Sequence, residues 1–283
     1  MSNRNASLGD RMKSYERPET GRRTMPLLPV VARLDGRAFS GLTKGLQRPY
    51  DKALMRVMHD VTAYLVDETC ARIGYTQSDE ITLVWQQDDV RAELFFDGKL
   101  QKMVSVLAAL ATHRFQQAVR RHLPELQDRV AVFDCRVFTV PNRAEAANCV
   151  LWRELDATKN SISMAARTRF SHGQLQHKTG NEMQAMLLEV GINWNDYPAD
   201  FKRGAYFQRA VVERSFSADE LAHLPPQHRA VRDPTLTVRR SVVRQLSLPP
   251  LRKVLNRVDV LFDGAAPRTA TAADAQTAQS TTA

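Results

Sequence analysis

The chain has 283 residues, 43% hydrophobic and 25% charged, with 40 basic and 31 acidic side chains for a net charge of +9. That is ample length and apolar content for a buried core, and a charge balance that attracts polyanions, nucleic acid first among them. No apolar run approaches the roughly 20 residues of a membrane span, and the opening segment lacks the apolar stretch of a secretory signal.

Residues 1–27 are polar and read as a flexible N-terminal arm. The run MPLLPVVARLDGRAF predicts a short buried strand over 28–35 with a polar tip. From 51 to 71, Leu54, Val57, Met58, Val61, Tyr64 and Leu65 recur at helical spacing. IGYTQSDEITLVW then reads as a hairpin over 72–86, turning through Thr76, Gln77, Ser78 and Asp79. A second long helix is expected over 98–122, stopped before Pro124, and another strand over 130–139. The order βαββαβ is the ferredoxin-like arrangement: an antiparallel sheet with two helices on one face and the other face open for a ligand. Residues 28–142 are therefore expected to form a catalytic domain.

Residues 143–263 read as an α/β elaboration that faces a polyanion. RAEAANCVLWRELDATKNSISMAARTRF suggests two helical segments, GNEMQAMLLEVG another, and WNDYPADFKRG a loop. AYFQRAVVER and TLTVRRSVVRQL alternate like paired strands, so the class is α+β with a helical and β-hairpin C-terminal part. RRSVVR is either an RNA-facing strand or a sheet edge charged against aggregation. Trp152 and Trp194 read as core packing in preference to base stacking. Residues 264–283 carry almost no bulky apolar side chain and read as a disordered tail. Three scattered cysteines, Cys70, Cys135 and Cys149, form no C-x-x-C pair and fit a reducing cytoplasm.

Asp79 and Glu80 interrupt an apolar, β-branched run. Alone, they make a solvated turn tip, and Asp35 in ARLDGRAFSG makes a plain turn after a strand. The predicted topology brings Asp35 and Asp79 to one sheet edge although they lie 44 positions apart (79 − 35). Two close carboxylates repel unless a cation or a proton lies between them. Hard oxygen ligands completed by water and substrate phosphates suit Mg²⁺, and a pair of such ions serves phosphoryl or nucleotidyl transfer. Gly36 admits close backbone approach, which makes its carbonyl a further candidate ligand. The amides of Arg37, Ala38, Phe39 and Ser40 are a candidate anion nest for a triphosphate.

RLDGRAF, RPYDKAL, GYTQSDEITLVW, FDCRVFTVPN, LWRELDATKNSIS and GNEMQAMLLEVGINWNDYPADFKRG, in this order over roughly 28–212, resemble the tRNA(His) guanylyltransferase superfamily. The resemblance implies a polymerase-like palm working in reverse, adding nucleotides to an RNA 5′ end. It implies that Asp35 and Asp79, with the Gly36 carbonyl, bind two Mg²⁺ ions, and that Glu80 is the neighbouring catalytic acid. It makes Ser78 and the segment from Asp35 to Ser40 nucleotide contacts, and Lys44, Arg48 and Lys178 phosphate contacts. Its implied partners are tRNA or tRNA-like RNA, ATP, GTP and other NTPs, with no membrane, and a homo-oligomer, commonly a tetramer. Where eukaryotic members carry His-Ile-Asn-Asn, this chain reads Thr158-Lys159-Asn160-Ser161. The departure points to the bacterial-type Thg1-like branch and to 5′-end repair over strict tRNA(His) specificity. Two other readings compete: a palm enzyme of another kind, such as a nucleotide cyclase, although no GG[DE]EF-type turn is present, and a non-catalytic RNA-binding protein.

Overall fold

Central strands buried on both faces and apolar stripes along two long helices build the centre of the molecule. The computed structural model describes residues 7–233 and 235–270. Helix α1 (Leu8–Thr20) comes first, capped by Ser7, whose side chain accepts from the Asp10 amide. The sequence reading places these residues in a loose arm; the Ser7 cap and the helix-favouring stretch from Arg11 to Arg17 make them helical, with no buried side chain. Residues 1–6 of the expected arm lie outside the described residues.

Strand β1 (Val30–Gly36) and the short helix α2 (Phe39–Leu42) lead to α3 (Lys52–Glu68). Asp51 caps α3 by accepting from the Ala53 and Leu54 amides at 2.9 and 3.0 Å. The hairpin β2 (Ile73–Gln77) and β3 (Glu80–Trp85), helix α4 (Leu100–His122) and β4 (Phe133–Thr139) complete the βαββαβ unit. Val57, Val61 and Leu65 of α3 and Met103, Leu107, Ala111 and Phe115 of α4 are buried against Ala32, Leu34, Ile81 and Leu83. Those strand residues are alternate positions, so they share one face of the sheet.

The second face departs from the expected open surface. Helix α5 (Arg143–Ala166) is one helix of 24 residues, not two segments. Asn142 caps it, and no Gly or Pro interrupts it. Its polar middle, which suggests a break in the sequence, is polar because it lines a cleft. Short helices α6 (His172–Leu175), α7 (Gly180–Glu189) and α8 (Ala199–Arg203) follow, so part of the expected WNDYPADFKRG loop is helical. Strand β5 (Ala205–Ser215), helices α9 (Ala218–Ala222) and α10 (Arg229–Arg232), strand β6 (Thr237–Leu246) and helix α11 (Arg257–Asp263) end the fold.

The two late strands pair as expected, and β5 also pairs with β2, giving one antiparallel six-stranded sheet in the order β4-β1-β3-β2-β5-β6. Ala146, Ala147 and Val150 of α5 and Leu251, Val260 and Leu261 cover Ile73, Tyr75, Val84 and Tyr206, closing the second face over the β2–β5 half. At the β4 end that face stays in solvent: Asp134, Arg136 and Phe138 are exposed while Phe133 and Cys135 are buried. Residues 264–270 of the expected tail are exposed but run back along residues 254–256, where Thr269 pairs with Val254 and the Arg268 amide donates to Asn256. Residues 271–283 lie outside the described residues.

A buried polar knot joins the late segment to α5. Glu154 accepts from the Tyr206 hydroxyl at 2.5 Å and from the Leu251 amide at 2.8 Å. Burial pushes the Glu154 carboxyl above its usual range, and these two bonds hold it down. A Tyr206→Phe variant leaves that carboxylate short of a donor and is expected to lose about 1–3 kcal/mol in urea unfolding.

Candidate active site

The β2–β3 hairpin turns in two residues, with Gln77 paired to Glu80 and Ser78 at φ +51°. This tight tip sets Asp79 beside the end of β1. The Gly36 amide donates to the Asp79 carbonyl at 3.2 Å, and Asp35 lies directly across from Glu80. A Cβ at position 36 would come within 2.3 Å of the Phe39 ring and 3.0 Å of the Asp79 Cβ. Glycine is therefore required here by packing. A Gly36→Ala variant must shift either Phe39 or the hairpin tip. We expect it to cost about 1–3 kcal/mol by thermal melting and to impair activity by displacing Asp79.

Asp35 and Asp79 are half-buried, and neither forms an ion pair with a basic side chain among the described residues. Burial pushes the Asp79 carboxyl up, a hydrogen bond from Ser78 and its own amide oppose this, and the charge of Asp35 adds to the upward push. The two acids thus sense each other, and negative charge is left uncompensated at this point. No cluster of three or more His, Cys, Asp or Glu side chains able to hold a metal exists among the described residues. The donor set is two carboxylates with neighbouring carbonyls, leaving room for water and phosphate oxygens, which fits Mg²⁺ and not a closed protein cage.

Glu80 is placed differently. It is 7% exposed, and Arg153 grips it with two hydrogen bonds, one of them Nη2 to Oε2 at 2.8 Å. The same Nη2 also donates to Asp156 at 2.8 Å. Burial raises the Glu80 carboxyl while Arg153 opposes. Both of its oxygens accept from Arg153, which ties the hairpin to α5 beside Asp79.

A cavity of about 440 Å³ opens in front of these acids. Asp35, Ser78, Asp79 and Glu80 line one end. Tyr50, Asp51, Met55 and His59 line it from the start of α3, and Asp200 and Phe201 from α8. The Tyr50 and Phe201 rings stack at 4.8 Å. From α5 come Arg153, Ala157, Asn160 and Met164, and from its C-cap Arg167, spaced by three or four residues along one face.

The other expected contacts lie elsewhere. The Phe39 side chain is core, edge-on to Phe115 at 5.3 Å. The Arg37 amide donates to the Val132 carbonyl at 2.8 Å, so it drops out of the expected anion nest. The amides of Ala38, Phe39 and Ser40 have no acceptor among the described residues, and Ala38 takes φ +54° to start α2. Lys44 and Arg48 are exposed on the loop after α2, which Arg129 anchors by donating to the Leu42 and Lys44 carbonyls. Lys178 pairs with Glu182 at 3.3 Å, away from the cavity. Sequence reasoning missed Arg153, Arg167, His59 and Asp200. The signal for the first two was the polar stripe at helical spacing within α5.

A family model described as tRNAHis guanylyltransferase matches residues 9–141. A solved bacterial tRNA(His) guanylyltransferase-like protein in complex with ATP is 38% identical, with 72% of this chain and 87% of that one covered, at a TM-score of 0.67. A second, in complex with GTP, is 30% identical over 88% and 95% of the two chains, also at 0.67. The chain belongs to the tRNA(His) guanylyltransferase family. The tRNA(His) guanylyltransferase of Saccharomyces cerevisiae is a more distant relative, 23% identical over 65% of this chain and 84% of that one. As a member of this family the protein is a nucleotidyltransferase, and the family's tRNA(His) guanylyltransferase-like fold is the mixed helix and antiparallel-sheet arrangement described above. No helix among the described residues is long and apolar enough to cross a membrane.

Proposed function

We propose that this guanylyltransferase-family protein is a template-dependent 3′-to-5′ nucleotidyltransferase that adds nucleotides to the 5′ end of tRNA or tRNA-like RNA. The observation that carries the reading is the uncompensated pair Asp35 and Asp79 at the mouth of the cavity. In this reading Asp35, Asp79 and the Gly36 carbonyl hold two Mg²⁺ ions. When bound, these ions supply the charge that makes a 3′-hydroxyl nucleophilic and stabilises the departing oxygen. The Ala38, Phe39 and Ser40 amides and Ser78 receive the triphosphate, and Lys44 and Arg48 neutralise it from the loop. The cavity between α3 and α5 takes the nucleoside. The 5′-phosphate of a monophosphorylated RNA attacks the α-phosphorus of ATP and releases pyrophosphate, after which the 3′-hydroxyl of the incoming NTP attacks the adenylylated 5′-phosphorus, loses its proton and releases AMP. An RNA that already carries a 5′-triphosphate needs no activation. Arg153 keeps the hairpin tip in place through Glu80.

Thr158, Lys159 and Asn160 stand where eukaryotic members carry His-Ile-Asn, and Asn160 faces the cavity. This supports 5′-end repair as the activity in preference to G addition restricted to tRNA(His). Unpaired Cys70, Cys135 and Cys149 support a cytoplasmic setting. The test is extension of two transcripts with Mg²⁺, ATP and all four NTPs. One is tRNA(His); the other is a different tRNA lacking its first 5′ nucleotide. Restored length on the truncated tRNA is expected. G addition confined to tRNA(His) would remove the repair reading, and extension of neither would remove the polymerase.

A further inference from the structure

The uncovered part of the sheet carries a second feature that the nucleotidyl-transfer site does not use. On β4, Asp134, Arg136 and Phe138 face solvent. Arg33 of β1 is the cross-strand partner of Arg136 and lies two residues before Asp35, on the same face. Beside them stands Trp152 of α5. The Arg33 guanidinium lies 5.3 Å and the Arg153 guanidinium 4.5 Å from its ring centroid. Even with both cations against it, Trp152 is 53% exposed. Two guanidinium groups cover only part of an indole, and the remainder of Trp152 is open to solvent.

We infer that Trp152, flanked by Arg33 and Arg136, is a stacking platform for unpaired nucleotides of the RNA, on the sheet face that leads to Asp35. Three observations support it. The ring is held in place by guanidinium contacts, so little freedom is lost when a base stacks on it. Arg33 and Arg136 are directly opposite on neighbouring strands, an unfavourable like-charge pair that a phosphate between them relieves. Arg33 has no carboxylate partner among the described residues, and Arg136 has only a 3.5 Å contact with exposed Asp134. A groove of cations and aromatic rings is what single-stranded nucleic acid requires, and stacking tolerates any base. The identity of the bound strand, the unpaired end next to the reacting 5′ phosphate, rests on the proposed function.

The test uses the full chain and two RNA hairpins with the same stem and a 5′-monophosphate, one blunt and one with a short single-stranded 3′ overhang. The wild type should bind the overhang RNA more tightly. Trp152→Ala should lose roughly ten-fold or more for the overhang RNA and little for the blunt one, with the KM for NTP unchanged. Trp152→Phe should keep most of the preference, which separates stacking from a folding defect. Arg136→Gln, an exposed and fold-neutral change, should flatten the slope of log K against log salt by about 0.7. Wild-type discrimination in Trp152→Ala would overturn the inference while leaving the proposed function intact if the RNA is still extended. Loss of discrimination in a protein whose wild type extends no RNA would keep the platform and remove the proposed reaction. A change of mass in solution for Trp152→Ala, with RNA affinity unaltered, would assign the face to contacts between copies and overturn the inference.

Discussion

Asp35→Ala and Asp79→Asn are each expected to lower nucleotide addition by at least about 10³-fold while the protein stays folded. The size follows from the proposed role of these carboxylates in holding metal charge at the reacting phosphate, worth several kcal/mol of transition-state stabilisation. Stability moves the other way for Asp79. Its carboxyl is raised in the folded protein by burial and by Asp35, so ionising it opposes folding. Below the carboxyl's unfolded pKa the group is protonated in both states and the cost vanishes; above the raised folded pKa the cost is fully present. Asp79→Asn therefore melts at or above the wild-type temperature at neutral pH, and the difference shrinks as the pH is lowered into the ordinary carboxylate range. Melting curves across pH, with single-turnover extension alongside, check both parts. Near-wild-type activity in either variant would refute the metal assignment, and a neutral-pH loss of stability in Asp79→Asn would refute its electrostatics.

Arg153→Met has the largest expected effect on stability. Glu80 and Arg153 expose only 10% and 9% of their side chains, and removing the cation leaves a buried carboxylate next to Asp35. Breaking such a pair costs about 3–5 kcal/mol. Exchanging both partners for apolar side chains of similar size is often neutral, so Arg153→Met combined with Glu80→Leu should recover most of the loss. Activity should not recover, because the link between the hairpin and α5 that fixes Asp79 is gone. Urea unfolding of the two single variants and the double variant reads the coupling. A single-variant loss below about 1 kcal/mol would mean that the pair does not hold the hairpin.

Local pattern made much of this legible. The period-2 runs of β1 and β3, the stripes of α3 and α4, and the Asp35–Asp79 juxtaposition follow from short-range spacing and one topological rule. What escaped depends on long-range partners. Nothing local says that β5 joins β2 through Tyr206 opposite Tyr75, because an alternating strand does not name its neighbour. The unbroken α5 was hidden by its charged middle: Arg153 and Glu154 look like surface residues until Glu80, Tyr206 and the Leu251 amide arrive to pair with them. Arg37 looked free for phosphate because the carbonyl that takes its amide is Val132, 95 positions away (132 − 37). Trp152 looked like core because its apolar ring is helical in spacing, and only the bare β4 end of the sheet leaves it exposed.

In the proposed function the incoming nucleotide is chosen by a template. A truncated tRNA should be prepared in four versions that differ only in the unpaired 3′-strand nucleotide opposite the missing 5′ position, then extended with all four NTPs and read on a gel at single-nucleotide resolution. The added nucleotide should be the Watson–Crick complement in each version. Addition of G in all four, or of nothing in any, would contradict it.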